Sequence, residues 1–385
     1  MSEERWDAVI AGCGLAGLSL AYALSTLRKD TFRILLLDTE RRSGRDHTWC
    51  FWEEGAGPWD TEIAWEWNQI QVGLAGNLKD YALEKYRYKI LESDRFYDFV
   101  WSTLDQDPRF EFRAAQVSEV KQSDLGTGVV KTEDGNVYEA SQVFNSIWGA
   151  RDSVSIWQHF HGWEVQTDKP VFDSGVATLM DFQPDEDGEV RFLYVLPKSA
   201  HEALVEYTVF GPEVWDEDAY VQKLFDYLRT DLEAGSWIVK HEETGAIPMS
   251  TRFSEYKKSR KCIYNLGTLG GAVKPSTGYA FSRIQRESKW IAEKWVQGRR
   301  LQAMSESRLY QSCDATLLEL MREGDFVLSA YFDSLFRRWG GDQVLGFLDE
   351  QLSLGDVLQI MYHSPWKKFI PAWFRANVTS RSARA

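Results

Sequence analysis

Glu206 stands in the stretch Glu-Ala-Leu-Val-Glu-Tyr-Thr-Val-Phe at 202–210, where strand alternation puts Leu204, Glu206, Thr208 and Phe210 on one face. Ala203, Val205, Tyr207 and Val209 take the other face, and both faces are largely apolar. A carboxyl stripped of water there, with no cationic partner, keeps its proton to near-neutral pH and can donate it. Paired with a buried Arg or Lys, it would instead be a structural ion pair. A second chemical signal lies at the N-terminus, in Gly12-Cys-Gly14-Leu-Ala-Gly17. Gly12 would permit a tight turn, Gly14 would let the backbone approach a pyrophosphate, and Gly17 would let helix and strand pack closely. Asp38 follows the apolar run 34–37, about twenty residues after Gly17, where a dinucleotide fold sets its ribose ligand. An adenine dinucleotide fits this pattern.

These groups need a scaffold. Residues 7–38 read as strand, Gly-rich turn, helix and strand. Segments 110–120, 128–132 and 136–144 read as further strands of that sheet, with a hairpin turn at 133–136, and 90–104 has helical spacing. Residues 173–210 are β-rich, with a polar turn at 183–189 and an antiparallel pair, 190–196 and 202–210, joined through 197–201. Residues 216–232 read as helix, 261–266 as strand and 280–297 as helix, and the chain from 301 onward is mostly helical. The expected fold class is α/β. A Rossmann-type nucleotide-binding domain (1–150 with 246–300) carries an antiparallel β-rich substrate domain (151–245) and a helical C-terminal cap (301–385).

Composition narrows the function. Lys and Arg number 44 against 58 Asp and Glu, a net charge of −14 that repels phosphate backbones and argues against nucleic acid. Cys13, Cys50, Cys262 and Cys313 form no CxxC pair, and the six histidines show no ligand spacing, so no metal and a reducing, cytoplasmic location are expected. The N-terminus lacks a secretory pattern and no run nears the roughly 18 apolar residues of a membrane span, so membrane contact would be peripheral. The stretch 359–385 has Lys367, Lys368, Arg375, Arg381 and Arg384, no acid, and interleaved Tyr362, Trp366, Phe369, Trp373 and Phe374. That mixture suits an anionic membrane surface, or a solvated basic tail with some aromatics packed. Trp49, Trp52, Trp59, Trp65 and Trp67 crowd into 49–67, as core or as the wall of an aromatic site.

The N-terminal fingerprint, a long excursion and a second Gly-rich segment at 267–279 resemble the arrangement of FAD proteins of the glutathione-reductase type. Three segments go further: Arg-Asp-His-Thr-Trp-Cys-Phe-Trp at 45–52; Leu-Tyr-Val-Leu-Pro at 193–197 with Ala-Leu-Val-Glu-Tyr-Thr at 203–208; and Gly-Ala-Ile-Pro at 245–248 with Gly-Gly-Ala-Val-Lys-Pro-Ser-Thr-Gly-Tyr at 270–279. Together they resemble the flavoprotein lycopene cyclases of bacteria and plants, over roughly residues 5–285.

The resemblance implies reduced FAD, with NAD(P)H as its reductant, and lycopene or a related acyclic carotenoid as substrate, closed to β-rings without net redox change. Such a closure starts with protonation of C2, proceeds by attack of the C5–C6 double bond on the C1 cation, and ends with loss of the C6 proton. Glu206 would be the acid. In plant-type relatives the strand reads Phe-Leu-Glu-Glu-Thr; Tyr207 replaces the second acid here and could serve only as a relay. Gly270, Gly271, Thr277 and Gly278 would cradle the flavin, with Ser276 or Thr277 capping the following helix. Lys274, where the cyclases usually have His, would hold the reduced anion or be a surface lysine. The same fold would also suit an FAD-dependent monooxygenase or a prenyl reductase consuming NAD(P)H, or a flavin-binding membrane protein without catalysis.

Overall fold

The apolar run after Arg5 forms strand β1 (Arg5–Ala11), turns through Gly12 into helix α1 (Leu15–Ser25) and returns as β2 (Ile34–Asp38), parallel to β1. Both strands are almost wholly buried, as central parallel strands must be. The computed structural model describes residues 5–27, 31–147, 154, 156–184, 188–251, 262–302, 304 and 307–379.

The chain continues with β3 (Thr48–Glu54), β4 (Trp65–Trp67), β5 (Gln69–Leu74), β6 (Asn77–Ala82) and β7 (Tyr86–Glu92). Helix α2 (Ser93–Leu104) and strands β8 (Phe110–Ala114), β9 (Val117–Gln122), β10 (Gly128–Thr132) and β11 (Val137–Asn145) follow. The helical spacing expected from residue 90 therefore starts only at Ser93. Ile90 and Leu91 belong to β7, whose register against β3 pairs Thr48 with Glu92, and so short an apolar run does not reveal its period. Likewise 110–120 is two strands, the first parallel to β2 and the second antiparallel to β10.

Then come β12 (Ile156–Thr167), β13 (Ala177–Phe182), β14 (Val190–Pro197), β15 (Glu202–Gly211) and α3 (Glu217–Asp226), which runs into a π-helical turn (Tyr227–Asp231). After β16 (Trp237–Met249) and β17 (Ile263–Asn265) the chain is helical: α4 (Phe281–Val296), α5 (Arg308–Glu323), α6 (Leu328–Leu348), α7 (Leu354–His363), α8 (Trp366–Phe374) and a last π-helical turn (Arg375–Thr379). Helix α6 changes direction at Gly340, where φ is +76°.

The described residues form three sheets. The first has the order β8-β2-β1-β11-β10-β9, with β17 also on β11; the second is β16-β12-β15-β14-β13-β5-β6; the third is β3-β7-β4. Strands β5 and β6, counted with the first unit in the sequence reading, extend the second sheet, β5 running parallel to β13. Their apolar residues Ile70, Val72 and Tyr81 join the core under α6 with Phe332 and Phe336, which is why they leave the nucleotide-type sheet. Helices α1, α2 and α4 cover one face of the first sheet through Leu18, Phe96 and Ile291. The second sheet is covered on one side by α5 and α6 and on the other by α3, whose Tyr220 and Leu224 meet Val205 and Val209.

Candidate active site

A cavity of about 770 Å³ opens where the carboxyl ends of β1, β2 and β11 meet the inner face of the second sheet. This is where open α/β sheets bind ligands, and the volume lies in the range of cofactor and substrate sites. Its two ends have different chemistry.

At the first end the backbone is made for close approach. Gly12 has φ +94°, and a Cβ there would lie 2.3 Å from Ser146 Oγ. A Cβ on Gly17 would lie 1.9 Å from the Gly12 carbonyl oxygen, so the first turn of α1 can sit against β1 only with glycine in place. A Cβ on Gly14 would meet only Arg42 Nε, at an ordinary contact distance of 3.9 Å, and α1 has no side-chain cap. The free N–H groups of that helix end are suited to an anion. Asp38 lines the cavity at the end of β2, its Oδ2 accepting from the Cys13 N–H at 2.7 Å. Arg42 also lines it, with a buried Nε that makes no hydrogen bond and lies 3.6 Å from Asp38 Oδ2. An orphaned guanidinium donor, a bare glycine and a helix N-terminus together fit the pyrophosphate and ribose of a dinucleotide such as FAD. Arg42 was not found by the sequence reading; the Gly-rich motif carries no signal for it.

At the other end are carboxylates and rings. Glu206 points from β15 into the cavity and accepts a hydrogen bond from Thr208 Oγ1 at 2.7 Å. Among the described residues no cation pairs with it. Burial first, and then the neighbouring Glu243 carboxylate, push its pKa up to about 8, while the Thr208 hydroxyl pulls the other way. Glu243, on β16, is buried and lines the same cavity. One of its oxygens accepts from the Thr48 N–H at 3.0 Å; the other has no partner. Burial raises its pKa too, with Thr48, His47 and Arg45 opposing. Sequence inspection passes over Glu243 because β16 is an edge strand with little apolar alternation, in which a Glu reads as solvated.

Aromatic groups wall this end. Trp49, Phe160, Tyr194, Tyr279 and Phe281 face the cavity, and the Tyr194 and Tyr279 hydroxyls are 2.7 Å apart. Burial raises the pKa of both phenols. Of the five clustered tryptophans only Trp49 reaches this cavity; Trp52, Trp59 and Trp67 are core and Trp65 is exposed. Arg45, beside the cavity, is joined to Glu92 and Glu164, which Lys198 also bridges at 2.8 and 2.9 Å.

Several sequence expectations are corrected. Tyr207 is on the opposite face of β15, 3% exposed, stacked on Trp215 within the α3 core, so strand alternation takes it away from Glu206. Lys274 is 3% exposed and turned from the cavity, its Nζ 2.7 Å from Asp314 on α5 and 3.2 Å from Glu350 after α6. It ties the loop to the helical cap because buried Asp314 and half-buried Glu350 together hold the ammonium there. Gly270 and Gly271 do not line the cavity either. They shape the turn: a Cβ on Gly270 would lie 2.4 Å from the Asn265 carbonyl oxygen, and Gly271 has φ +73°. Thr277 is buried with an unpartnered hydroxyl at a separate small cavity, Ser276 donates to Asp314, and neither caps α4. Gly278 does line the main cavity, with φ +73° and Gln158 Oε1 where a Cβ would be; Gly267 and Thr268 complete that wall.

A family model described as lycopene cyclase protein matches residues 7–375. Among curated proteins, a lycopene beta-cyclase of Pantoea ananas is 25% identical over 293 residues, 72% of each chain. A lycopene beta-cyclase of Paracoccus sp. is 27% identical over 289 residues, covering 71% of this chain and 70% of that one. Among solved structures, a geranylgeranyl bacteriochlorophyll reductase-like protein from Thermoplasma acidophilum superposes with TM-score 0.61 at 12% identity, over 96% of this chain and all of that one. The halogenase PltM, solved with phloroglucinol and FAD, gives TM-score 0.58 at 11% identity over 95% and 85%. At such identities the likeness is one of fold, the α/β fold of Rossmann-type flavoenzymes.

Proposed function

Since the chain belongs to the lycopene cyclase family, we propose that it closes the acyclic ends of lycopene, or of a related acyclic carotenoid, to β-rings by an acid-initiated isomerisation with no net redox change. One observation carries the reading: a half-buried carboxyl without a cationic partner among the described residues, Glu206, faces the same cavity as the dinucleotide fingerprint.

Glu206 gives its proton to C2 of the terminal alkene, and the electrons of C1=C2 form the new C–H bond, leaving the cation at C1. The C5=C6 pair then forms the C1–C6 bond and moves the charge to C5, and loss of the proton on C6 restores C5=C6. An alkene is so weak a base that the acid must be neutral, dry and close. Burial keeps Glu206 neutral, and the faces of Trp49, Phe160, Tyr194 and Tyr279 offer the cation electron density without a nucleophile. FAD, held by Gly12, Gly14, Asp38, Arg42 and the loop around Gly278 and kept reduced by NAD(P)H, would supply an electron-rich ring beside the developing charge.

A hydrocarbon substrate resides in a membrane, and the reading includes peripheral contact with an anionic membrane surface through α7 and α8. Leu354, Leu358, Trp366, Ile370 and Phe374 are exposed there beside Lys367. Lys368 pairs with Asp325 and Arg375 with Glu319 and Glu323, so apolar side chains carry more of the contact than net charge does. Arg381 and Arg384 lie outside the described residues. No described helix is long and apolar enough to cross a membrane.

The test is pigment analysis in cells that accumulate lycopene. Expression should convert lycopene to β-ringed carotenoids, and Glu206→Gln should not; unchanged lycopene in both would reject the function. Stoichiometric NAD(P)H consumption by the purified protein would favour a monooxygenase or prenyl reductase instead.

A further inference from the structure

Ring closure needs a second proton transfer, at C6, and the cavity holds a second carboxylate placed to serve it. Strand β12 lies between β15 and β16, and Gly162 on β12 is the register partner of both Glu206 and Glu243. The two carboxylates therefore project from the same face of the sheet, on either side of a residue with no side chain. A Cβ on Gly162 would lie 3.3 Å from Glu206 Cβ and 3.3 Å from Leu204 Cδ1, so glycine is what keeps the space between the two acids open. Both acids line the cavity.

We propose that Glu243 is the base that removes the C6 proton, acting across the Gly162 gap from Glu206. The inference rests on Glu206 being the acid. The environments divide the roles. Glu206 has only the Thr208 hydroxyl to stabilise an anion. Glu243 has the Thr48 N–H on one oxygen, and the charges of His47 and Arg45 before β3 also favour its anion. Of two carboxyls sharing a site, the one with a backbone donor and positive groups beside it ionises and its partner keeps the proton. The Glu243 oxygen that lacks a hydrogen-bond partner is itself buried, and the carboxylate as a whole borders the cavity into which C6 would be placed. An anchor for Thr48 alone would need only an acceptor, which Gln provides equally well.

The proton balance closes. Glu206 loses its proton to C2, Glu243 gains one from C6 as the C6–H electrons become the C5=C6 bond, and exchange with solvent after product release returns Glu243 to the anion and Glu206 to the acid. No oxidant or reductant is consumed.

The test uses the purified, flavin-loaded protein with lycopene in liposomes, in D2O. Glu243→Gln should lower ring formation about 10²- to 10⁴-fold. Deuterium should nevertheless enter C2 of the recovered lycopene, because Glu206 still protonates C2 and takes a proton back when C6 has no acceptor. Glu243→Asp should recover part of the rate. β-Ring formation by Glu243→Gln at the parent rate, or loss of both ring formation and C2 exchange while flavin stays bound, overturns the proposal. Should Glu243→Gln not retain flavin, Glu243→Asp decides: slowed closure with undiminished exchange is expected, and loss of both overturns it. Glu206→Gln should show neither closure nor exchange; full closure by that variant would overturn the acid assignment itself, a failure distinct from that of Glu243.

Discussion

Glu206→Gln should leave a protein that is inactive yet more stable than its parent at pH 8. The carboxyl moves from 4.5 in the unfolded chain to about 8 in the folded one, chiefly through burial. Below pH 4.5 it is protonated in both states and has no effect on stability. Between 4.5 and 8 the unfolded chain has released the proton and the folded chain has not, so stability falls as pH rises; above 8 the loss is complete. At about 1.4 kcal/mol per pH unit the full loss is at most about 5 kcal/mol. Because Glu206 is only half-buried, solvent screening removes part of it, leaving roughly 2 to 3 kcal/mol. Gln keeps the size and can still accept from Thr208, but it does not titrate. Urea unfolding of both proteins at pH 5 and pH 8 measures the difference, compared as midpoints if the sheets do not unfold together. The parent should lose about 2 to 3 kcal/mol more than the variant between the two pH values. Parallel pH dependences would refute the claim that Glu206 is buried as an acid. Ring closure by the parent should also decline as pH rises through about 8, as the donor ionises.

Gly162→Ala should slow ring closure at least about tenfold by filling the gap between the two acids, at an overpacking cost of about 1 to 3 kcal/mol; a parent-like rate by pigment chromatography would show that the gap is not used. Lys274→Met should destabilise by about 3 to 5 kcal/mol, because Asp314 and Glu350 lose a buried cation, while flavin absorbance and ease of reduction stay unchanged. A shifted flavin reduction in that variant would restore the direct role expected from sequence. Replacing Leu358, Trp366 and Ile370 together by Ser should weaken liposome sedimentation by well over tenfold, at about 1.5 to 3 kcal/mol per side chain inserted; undiminished sedimentation would exclude this face as the contact.

Where the sequence was informative, local pattern and tertiary position agreed. Gly12, Gly14, Gly17 and Asp38 lie where the strand, turn and helix pattern puts them, because each role is set by backbone within one βαβ unit. Glu206 was legible because strand alternation alone decides which face it shares, and the same alternation should have removed Tyr207. Lys274 was misread because its partners, Asp314 and Glu350, come from helices whose docking no local pattern encodes. Glu243 escaped notice because its burial comes from a cavity closed by β3, a distant segment, and not from its own edge strand. The membership of β5 and β6 in the second sheet was hidden for the same reason: strand pairing across about a hundred residues leaves no periodic trace.

Mass analysis of the rings formed from lycopene in D2O by the flavin-loaded protein is the most direct test. If Glu206 delivers a solvent-exchanged proton to carbon, each β-ring gains one deuterium, at C2, and Glu206→Gln forms neither ring nor label. Rings without deuterium, or labelled rings from Glu206→Gln at the parent rate, would contradict it.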